Sequence, residues 1–356
     1  MITAWHFYRF SKEAWDGMYE TAAAAERSID FEQFIFMAEE QAGARFADLF
    51  IKKAKEGVAV RLLCDMVGSY DFFASIRAEE LRRAGVEIVF FNIIKPWRFL
   101  NPKAWLFRDH RKLMIVDSRV ALIGGVGIAD AFADWRDTHM RITGPLVAEL
   151  MTGFEQMWRN AANEKFIRFK EPRQTHDGFT AVTNAPHWRQ RFMNRTVLDA
   201  MRNAERCIFL ATPYFVPDAR FFRVLRLAAR RGVDVRLIVP TETDHPIVDR
   251  ASRYFFSKAL QAGVRIFLYG DMLHAKTVII DNEWGAAGSS NIDNLSTSFN
   301  YELNVASVER KFVEDLGVHF IEDLARCREL SWAEWRGRSF FAKFLEFCSA
   351  PFGRFF

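Results

Sequence analysis

The sequence of 356 residues predicts an α/β fold composed of two duplicated halves. Three segments of the first half recur in the second half. Two of them combine the end of a helix, a glycine and a short apolar strand, and the third repeats a polar motif. Alternation of strands and helices is typical of α/β units, and self-similarity at this scale indicates duplication. We therefore expect an α/β/α sandwich present twice, with two pseudo-twofold-related halves and one active site at their interface.

The first two repeated segments predict the framework of each half. Residues 54–65, AKEGVAVRLLCD, correspond to residues 229–240, ARRGVDVRLIVP. Residues 83–90, RAGVEIVF, correspond in the same way to residues 261–268, QAGVRIFL. In each case a glycine ends a helix and an apolar run reads as a buried strand. Two rounds of helix and strand are thus expected in each half.

The third repeated segment is an HxKxxxxD motif, which carries the candidate catalytic residues. Two matched copies are a much more specific signal than one. The apolar run in each copy predicts a strand, so side chains two positions apart point to the same face. Histidine and lysine of each copy therefore share a face. The six residues of the two copies are His110, Lys112, Asp117, His274, Lys276 and Asp281.

The aspartates of the motif are expected to have a different function from the histidines and lysines. Asp117 and Asp281 follow their histidines by seven positions, an odd offset that places them on the other face of the strand. Both begin hairpin-like sequences, in which aspartate often forms the turn. We count them with the catalytic motif, but we expect turn formation rather than direct chemistry.

Two histidines and two inward lysines at a pseudo-twofold interface indicate a phosphate site. A buried ammonium group is costly unless an anion meets it. One imidazole can attack phosphorus, the other can protonate the departing oxygen, and the ammonium groups can stabilise the equatorial charge. This chemistry requires no metal or other cofactor. The sequence also has no EF-hand, CxxC or HExxH pattern.

Turn-rich and aromatic segments suggest three regions. A polar stretch at residues 170–178 is a candidate boundary, so residues 1–170 form the first predicted half and residues 171–330 the second. Residues 331–356 form an aromatic and basic tail. Its helical spacing of apolar residues fits either docking onto the core or contact with a membrane.

Composition limits the classes of partner. The formal net charge of +4 is too even for a protein that mainly grips a long polyanion, so nucleic acid is not the expected partner. The four cysteines form neither a metal-type pair nor a disulfide framework. The N-terminal residues do not resemble a signal peptide, and no apolar run approaches the roughly 18 residues that a membrane span needs. We expect a soluble or peripheral protein.

One insertion distinguishes the halves. Between the last repeated glycine and the catalytic histidine, the first half has about fourteen more residues than the second. The insertion, residues 92–107, mixes aromatic rings such as Trp97, Trp105 and Phe107 with cations such as Lys95. This mixture suits the membrane interface. A loop folded over its own half is the alternative.

The combination of motifs resembles the phospholipase D superfamily. Further segments are similar to those of the bacterial cardiolipin synthases, and the chain resembles a short form of these enzymes without transmembrane helices. The resemblance extends over roughly residues 20 to 330. It rests on the doubled motif and on the segments 108–117, 124–125, 135–137, 211–218, 288–291 and 300–304.

This resemblance implies that a carboxylate orients each catalytic histidine. Asp137 would orient His110, and Glu302 would orient His274. The alternation of apolar residues around Glu302 supports its placement on a separate face of a strand. A carboxylate on Nδ1 fixes the tautomer and stabilises imidazolium. The resemblance further implies that His110 is the nucleophile and that His274 is first the general acid and then the base.

The resemblance also implies residues that bind the phosphate. Ser289 and Asn291 would donate hydrogen bonds to it. The first half has Gly127 where the family usually has asparagine, so the backbone N–H groups of Gly125 and Gly127 are the expected substitutes. Unequal participation of the halves would follow.

The function that this resemblance implies is a transfer of a phosphatidyl group from phosphatidylglycerol to a second phosphatidylglycerol or a related alcohol, through a phosphohistidine. The implied location is the cytoplasmic face of the bacterial inner membrane, at the surface of anionic phospholipid. A phosphodiesterase or nuclease that uses water as acceptor is the alternative enzyme class. A duplicated binding module without turnover is a third possibility, and the sequence leaves the acceptor alcohol and the oligomeric state open.

Overall fold

The computed structural model describes residues 2–95, 100, 105–163, 177–186 and 191–349. The first half of the described chain contains seven strands, five α-helices and a 3₁₀ turn at Asp130–Phe132. In chain order the strands and helices are β1 (Ala4–Phe10), α1 (Ser11–Ala23), β2 (Ser28–Gln33), α2 (Gln41–Lys55), β3 (Ala59–Asp65), α3 (Tyr70–Ala74), α4 (Ile76–Arg83), β4 (Glu87–Phe91), β5 (Leu113–Val116), β6 (Val120–Gly124), β7 (Arg136–Thr143) and α5 (Leu146–Ala162).

The second half repeats this arrangement and continues into the tail. Its elements in the described residues are β8 (Phe179–Asn184), α6 (Phe192–Asn203), β9 (Cys207–Ala211), α7 (Ala219–Arg230), β10 (Asp234–Pro240), α8 (Pro246–Gln261), β11 (Arg265–Tyr269), β12 (Thr277–Ile280), β13 (Trp284–Gly288), α9 (Asn294–Ser298), β14 (Glu302–Ser307), α10 (Arg310–Leu324), β15 (Cys327–Glu329), α11 (Trp332–Arg336) and α12 (Phe340–Ser349).

The strand order confirms the predicted duplication. The first sheet has the order β1-β7-β6-β5-β2-β3-β4, and the second has the order β15-β11-β10-β9-β12-β13-β14-β8. Six neighbouring strands of the first sheet, in the order β7-β6-β5-β2-β3-β4, therefore match six strands of the second sheet, in the order β14-β13-β12-β9-β10-β11. In both sheets three parallel strands adjoin antiparallel hairpins. The helix-end glycines also match, because Gly57 and Gly232 both adopt a positive φ, of 91° and 95°, as helix-terminating glycines do.

Alternation along β5 explains how the first sheet separates two apolar layers. Leu113 and Ile115 join a core that includes α5, whereas Met114 and Val116 join a core beneath α1 and α2. Successive side chains of a strand point to opposite faces, so helices cover both faces of this sheet. The predicted α/β/α layering is confirmed.

The apolar core continues from one half into the other. Buried side chains of the first sheet, including Ile123 and Met140, belong to the same cluster as Tyr301 and Val305 of the second sheet. Helix α5 packs against β7 of the first sheet and β8 of the second. Because packed interiors tolerate little empty space, separation of the halves would expose the apolar surface that they share.

The predicted boundary between residues 170 and 171 lies outside the described residues. Strands of the first sheet lie within residues 4–143 and those of the second within residues 179–329. The tail includes α11 and α12, which both pack against α8. Trp335 is 4% exposed and donates a hydrogen bond from Nε1 to Ser257 Oγ at 3.0 Å. The first part of the tail therefore docks onto the second half.

Helix α12 leaves four phenylalanines in contact with solvent. The exposed fractions are 84%, 68%, 51% and 65% for Phe340, Phe341, Phe344 and Phe347. Such a contiguous apolar surface is unusual on a soluble protein. Among the helices in the described part of the chain, none has both the length and the apolar character needed to cross a bilayer.

Candidate active site

Two backbone bridges between the halves position the catalytic segments. Asp109, just before the first catalytic histidine, pairs with Tyr301 of the second half. Leu273, just before the second catalytic histidine, pairs with Arg136 of the first half. The His110 N–H donates to the Tyr301 carbonyl at 3.0 Å, and the His274 N–H donates to the Arg136 carbonyl at 2.7 Å. Each histidine thus lies against a strand of the opposite half.

These bridges place each histidine beside the carboxylate of the other half. His110 Nδ1 lies 3.1 Å from both Glu302 carboxylate oxygens, and His274 Nδ1 lies 2.7 Å from Asp137 Oδ2. The predicted pairing of His110 with Asp137 and of His274 with Glu302 is therefore wrong. The physical reason is that Tyr301 and Arg136, which immediately precede the two acids, form the bridges to the histidine segments.

The carboxylates prepare the opposite ring nitrogens for reaction. Glu302 and Asp137 are 0% and 1% exposed, so their contacts with Nδ1 occur away from bulk water. A carboxylate at Nδ1 fixes the proton there and leaves Nε2 with a lone pair in the neutral ring. It also stabilises imidazolium when Nε2 takes a proton. Each histidine is thus held as a base or nucleophile through Nε2.

Burial dominates the titration of both histidines. It lowers the pKa of His110 below its usual value, against the attraction of Glu302. Burial lowers the pKa of His274 to about 4, and repulsion from Lys276 adds to this effect. Burial raises the pKa of Asp137, but Lys276 and His274 outweigh burial, so this carboxyl has a pKa below its usual value. Both imidazoles are therefore neutral at pH 7 when the site is empty.

The two lysines of the motif are buried beside the histidines. Lys112 and Lys276 are 3% and 4% exposed. Lys112 Nζ donates to the His110 carbonyl at 2.7 Å, and Lys276 Nζ donates to the His274 carbonyl. Burial lowers the pKa of Lys112 to about 7 and that of Lys276 to about 8. An anion between the two ammonium groups would offset both the burial cost and their mutual repulsion.

A cavity of about 380 Å³ opens onto this cluster. Its walls come from both halves, and most of its lining area is carbon. A deep apolar cavity with a few converging polar groups is the usual form of a ligand site. The lining residues that bear on the chemistry are Phe34, Ile35, Arg108, His110, Lys112, Gly127, Phe132, Trp135, Tyr214, Asp244, His245, His274, Asn291, Asp293 and Asn300.

The motif aspartates lie at the far ends of their strands, where they form turns. Asp117 and Asp281 adopt positive φ angles of 54° and 55°, which aspartate tolerates in tight turns. The Asp117 carboxylate accepts hydrogen bonds from the backbone N–H groups of residues 26–28, and the Asp281 carboxylate from those of residues 205–207. Neither lines the cavity. Their inclusion in the catalytic set is corrected, and the turn-forming function agrees with the prediction.

Ser289 supports a catalytic acid instead of facing the cavity. It is fully buried, its hydroxyl donates to Glu302 Oε2 at 2.5 Å, and it accepts from the Leu303 N–H at 3.0 Å. Its predicted function as a hydrogen-bond donor to phosphate is therefore corrected. Asn291 does line the cavity, and its hydrogen bond to phosphate stays a prediction. Asn300, which the sequence did not assign, donates to Glu302 Oε1 at 3.4 Å.

The two glycines of the first half differ in function. The Gly125 N–H donates to the Thr138 carbonyl at 3.0 Å, so its prediction as a phosphate donor is wrong. A Cβ at this position would lie 2.2 Å from Asp137 Oδ1, and glycine thus makes room for the acid. Gly127 lines the cavity, and its carbonyl accepts a hydrogen bond from Trp15 Nε1 at 2.9 Å.

Aromatic rings hold the catalytic imidazoles, and sequence patterns did not assign them. The Phe34 ring lies 4.8 Å from the His110 ring, edge to face. The Trp135 and Tyr214 rings lie 5.2 and 6.5 Å from that of His274. Trp135 and Tyr214 belong to segments that carried the family resemblance, which was the available signal. Nothing comparable pointed to Phe34.

The insertion of the first half borders the cavity. Trp105 lines its mouth and is 46% exposed. The Phe107 ring lies 6.4 Å from the ring of Phe299 in the other half. Trp97 lies outside the described residues, with the rest of 96–99 and 101–104. Within the described part, the insertion therefore folds against the site and also leaves an aromatic side chain in contact with solvent.

No group of three or more His, Cys, Asp or Glu side chains suited to hold a metal ion occurs among the described residues. The polar groups that line the cavity include the two imidazoles, Arg108 and Lys112, and Lys276 is buried next to His274. The cations can stabilise a bound anion, and the two imidazoles can each exchange a proton with it. A phosphodiester matches these requirements.

Sequence comparison places the chain among proteins of phospholipid metabolism. The family model described as "Cardiolipin synthase, PLD-like domain" matches residues 18–158 and 197–324. A protein named cardiolipin synthase A from Pseudomonas putida is 34% identical over 330 residues, which cover 90% of this chain and 68% of that protein. A cardiolipin synthase from Halalkalibacterium halodurans is 32% identical over 94% of this chain and 69% of its own length. The chain thus spans about two thirds of the length of these relatives.

Solved structures share the fold at low sequence identity. The crystal structure of phosphatidylserine synthase from Haemophilus influenzae matches with a TM-score of 0.75 and 13% identity, over 99% of this chain and 94% of that one. Polyphosphate kinase from Porphyromonas gingivalis matches with a TM-score of 0.62 and 13% identity, over 93% of this chain and 49% of that one. With its family-model match and these relatives, the chain is an enzyme and belongs to the cardiolipin synthase family of phospholipase D-like proteins.

Proposed function

We propose that the protein transfers a phosphatidyl group from phosphatidylglycerol to a second phosphatidylglycerol, with release of glycerol. One observation carries the proposal. Two imidazoles, each with a buried carboxylate at Nδ1, line one cavity together with Lys112, and Lys276 is buried next to the second imidazole. The names of the relatives, which are cardiolipin synthases, support cardiolipin as the product, and two phosphatidylglycerol molecules that join with loss of glycerol would form it.

In the first step Nε2 of His110 attacks phosphorus, and the bond between phosphorus and the headgroup oxygen breaks. His274 gives the Nε2 proton to that oxygen, so free glycerol leaves and a phosphatidyl-histidine remains. In the second step a hydroxyl of the other lipid gives its proton to His274 and attacks phosphorus, and the phosphorus–nitrogen bond breaks. Dividing one displacement into two in this way is the function of nucleophilic catalysis.

The charge of the substrate prepares His274 for its first function. This imidazole is neutral at pH 7 because burial and Lys276 lower its pKa to about 4. A phosphodiester brings one negative charge between Lys112 and Lys276, which offsets the repulsion on His274 and raises its pKa. This change favours uptake of the proton together with the substrate, while Glu302 stabilises the charge that develops on His110.

Product analysis tests the proposal directly. Purified protein is incubated with phosphatidylglycerol, phosphatidylethanolamine and a short oligonucleotide, and products are identified by mass spectrometry. We expect cardiolipin and an equal amount of glycerol, formed at the same rate with and without a chelator. Phosphatidic acid as the main product would indicate water as acceptor, and oligonucleotide fragments would indicate a nuclease. Either result would overturn the proposal. Loss of activity with the chelator would overturn the metal-free steps described above.

We also propose that the protein acts at the surface of an anionic membrane. The exposed phenylalanines of α12 and the exposed Trp105 at the cavity mouth provide apolar groups of the kind that enter the interface. Their cost of exposure to water would be relieved in that setting. A lipid headgroup could then reach the cavity without leaving the bilayer.

Vesicle sedimentation tests this interaction. Replacement of Phe340, Phe341 and Phe344 by serine is expected to lower the partition coefficient on phosphatidylglycerol vesicles by more than tenfold, because even one buried phenylalanine contributes about 1.5–3 kcal/mol. A double replacement of Val318 and Ile321 by serine provides the control, since both are half exposed on α10. Equal sedimentation of the α12 variant and the wild type would show that this helix does not bind the membrane.

A further inference from the structure

The two walls of the cavity differ in polarity. On the side of the first half, Phe34, Ile35 and Phe132 provide apolar surface, and the polar side chains apart from His110 are the cations Arg108 and Lys112. On the side of the second half, Tyr214 and Asp244 provide polar atoms. A site for two identical groups would not need this difference. The asymmetry indicates that the parts of the substrate on the two sides are chemically different.

The difference arises at equivalent positions of the duplicated fold. Phe36 bridges Ile128 in the first half, and Phe215 bridges Ile292 in the second. These matching bridges make Ile35 and Tyr214, which precede the two phenylalanines, structural counterparts. An aliphatic side chain in one half thus corresponds to a phenol in the other. At this pair of positions the cavity is therefore apolar on the side of the first half and able to form hydrogen bonds on the side of the second.

Tyr214 and Asp244 form an ordered polar cluster with His245. The Tyr214 hydroxyl donates to Asp244 Oδ1 at 2.5 Å, and Asp244 Oδ2 lies 3.5 Å from His245 Nε2. Tyr214 is 9% exposed, whereas the side chains of Asp244 and His245 are 31% and 63% exposed. A carboxylate can accept about four hydrogen bonds, so Asp244 retains acceptor sites for a ligand.

This cluster lies on the side of the cavity where the alcohol must be. An in-line displacement by His110 expels the alcohol on the opposite side of phosphorus, beside the general acid His274. The incoming alcohol must approach along the same line in reverse. The Tyr214 ring lies 6.5 Å from the ring of His274, and Asp244 is close enough to Lys276 to attract its ammonium group. The polar cluster thus surrounds the expected position of the alcohol.

We propose that Asp244, held by Tyr214 and next to His245, binds the polyol headgroup of the leaving and the incoming lipid by accepting hydrogen bonds from its hydroxyl groups. This inference rests on the proposed phosphatidyl transfer and names the part of the site that selects the acceptor. Attraction between Asp244 and Lys276 offsets the charge of the carboxylate, which favours a neutral polyol over a cationic alcohol such as ethanolamine. The apolar wall of the first half then faces the glyceride end of the donor.

Acceptor competition tests the inference. Phosphatidyl-4-nitrophenol serves as donor, and glycerol and water compete for the phosphatidyl-enzyme. For Asp244→Asn we expect the KM for glycerol to rise about 10- to 100-fold, because a hydrogen bond to a charged acceptor is lost. The ratio of phosphatidylglycerol to phosphatidic acid should fall by a similar factor. Tyr214→Phe, which removes the bond that orients Asp244, should shift both quantities in the same direction by a smaller factor.

A surface variant and a second alcohol complete the design. Asp199→Asn removes a carboxylate that is 66% exposed and paired with a neighbouring arginine, so its KM and product ratio should equal those of the wild type. A folded Asp244→Asn protein with the wild-type glycerol KM would overturn the inference. The inference would also be overturned if Asp244→Asn lowered the rate of transfer to ethanolamine more than the rate of transfer to glycerol. A wild-type protein that makes only phosphatidic acid would instead overturn the proposed transfer itself.

Discussion

Replacement of Glu302 by glutamine is expected to lower kcat for phosphatidyl transfer by about 10³- to 10⁴-fold, the scale seen when the acid behind a catalytic histidine is neutralised. Glutamine preserves the volume and can still contact His110 Nδ1, which lies 3.1 Å from both carboxylate oxygens. An amide cannot stabilise the charge that His110 gains as it attacks phosphorus. Its NH₂ group would also favour the tautomer with the proton on Nε2, which cannot attack.

A matched replacement separates this effect from a general change of charge in the second half. Glu314 is 47% exposed and pairs with Arg310 on α10, so Glu314→Gln should retain activity within about twofold, because exposed ion pairs contribute little. Initial rates of cardiolipin formation and thermal unfolding are measured for both variants. A folded Glu302→Gln protein with more than a tenth of wild-type activity would contradict the function assigned to Glu302.

Replacement of Asp137 by asparagine is expected to cause a comparable loss with phosphatidylglycerol but a small loss with a donor whose leaving group needs no proton. Asp137 contacts His274 at 2.7 Å, and we assign to His274 the protonation of the leaving oxygen. Phosphatidyl-4-nitrophenol releases a stabilised phenolate, so general acid catalysis becomes unimportant. With this donor, Asp137→Asn should release about one equivalent of nitrophenolate rapidly and then turn over slowly, since the second step still needs His274 as base.

The same donor should not restore Glu302→Gln, in which the nucleophile itself is impaired. Stopped-flow absorbance of nitrophenolate compares the two variants with the wild type under identical conditions. If the carboxylates acted on the histidines of their own halves, the pattern would be reversed, with a burst in Glu302→Gln and none in Asp137→Asn. The nitrophenolate burst thus shows which carboxylate acts on which histidine.

Local patterns in the sequence predicted the fold and the principal residues of the site. Period-two alternation placed each histidine and lysine on one face of a strand, and both lysines are indeed buried beside the histidines. Repeated glycines predicted the helix ends, with positive φ at Gly57 and Gly232. These features depend on neighbours within a few positions, which a single sequence displays.

The pairing of acid and histidine could not be predicted in this way, because it depends on how one half is placed against the other. His110 and Glu302 are 192 positions apart, and the bridge between Asp109 and Tyr301 that joins them has no local signature. The family resemblance implied the acid of the same half for each histidine, and the structure shows the acid of the opposite half.

The family resemblance also misled where packing decides the direction of a polar group. Ser289 was predicted to bind phosphate, yet its hydroxyl donates to Glu302. The N–H of Gly125 was predicted for the same purpose, yet it donates to the Thr138 carbonyl. In both cases a donor near the site satisfies a buried group of the protein, as buried polar groups generally must. Only the three-dimensional arrangement distinguishes a donor to substrate from a donor that supports the catalytic acid.

The covalent intermediate provides the most direct test of a single active site with His110 as its nucleophile. Asp137→Asn is mixed with phosphatidyl-4-nitrophenol, quenched at high pH to preserve phosphohistidine, digested and mapped by mass spectrometry. The account predicts one phosphatidyl group per chain, attached to the peptide that contains His110. Attachment to His274 would contradict the assigned order of the two histidines, and attachment to both in equal amounts would contradict one shared site.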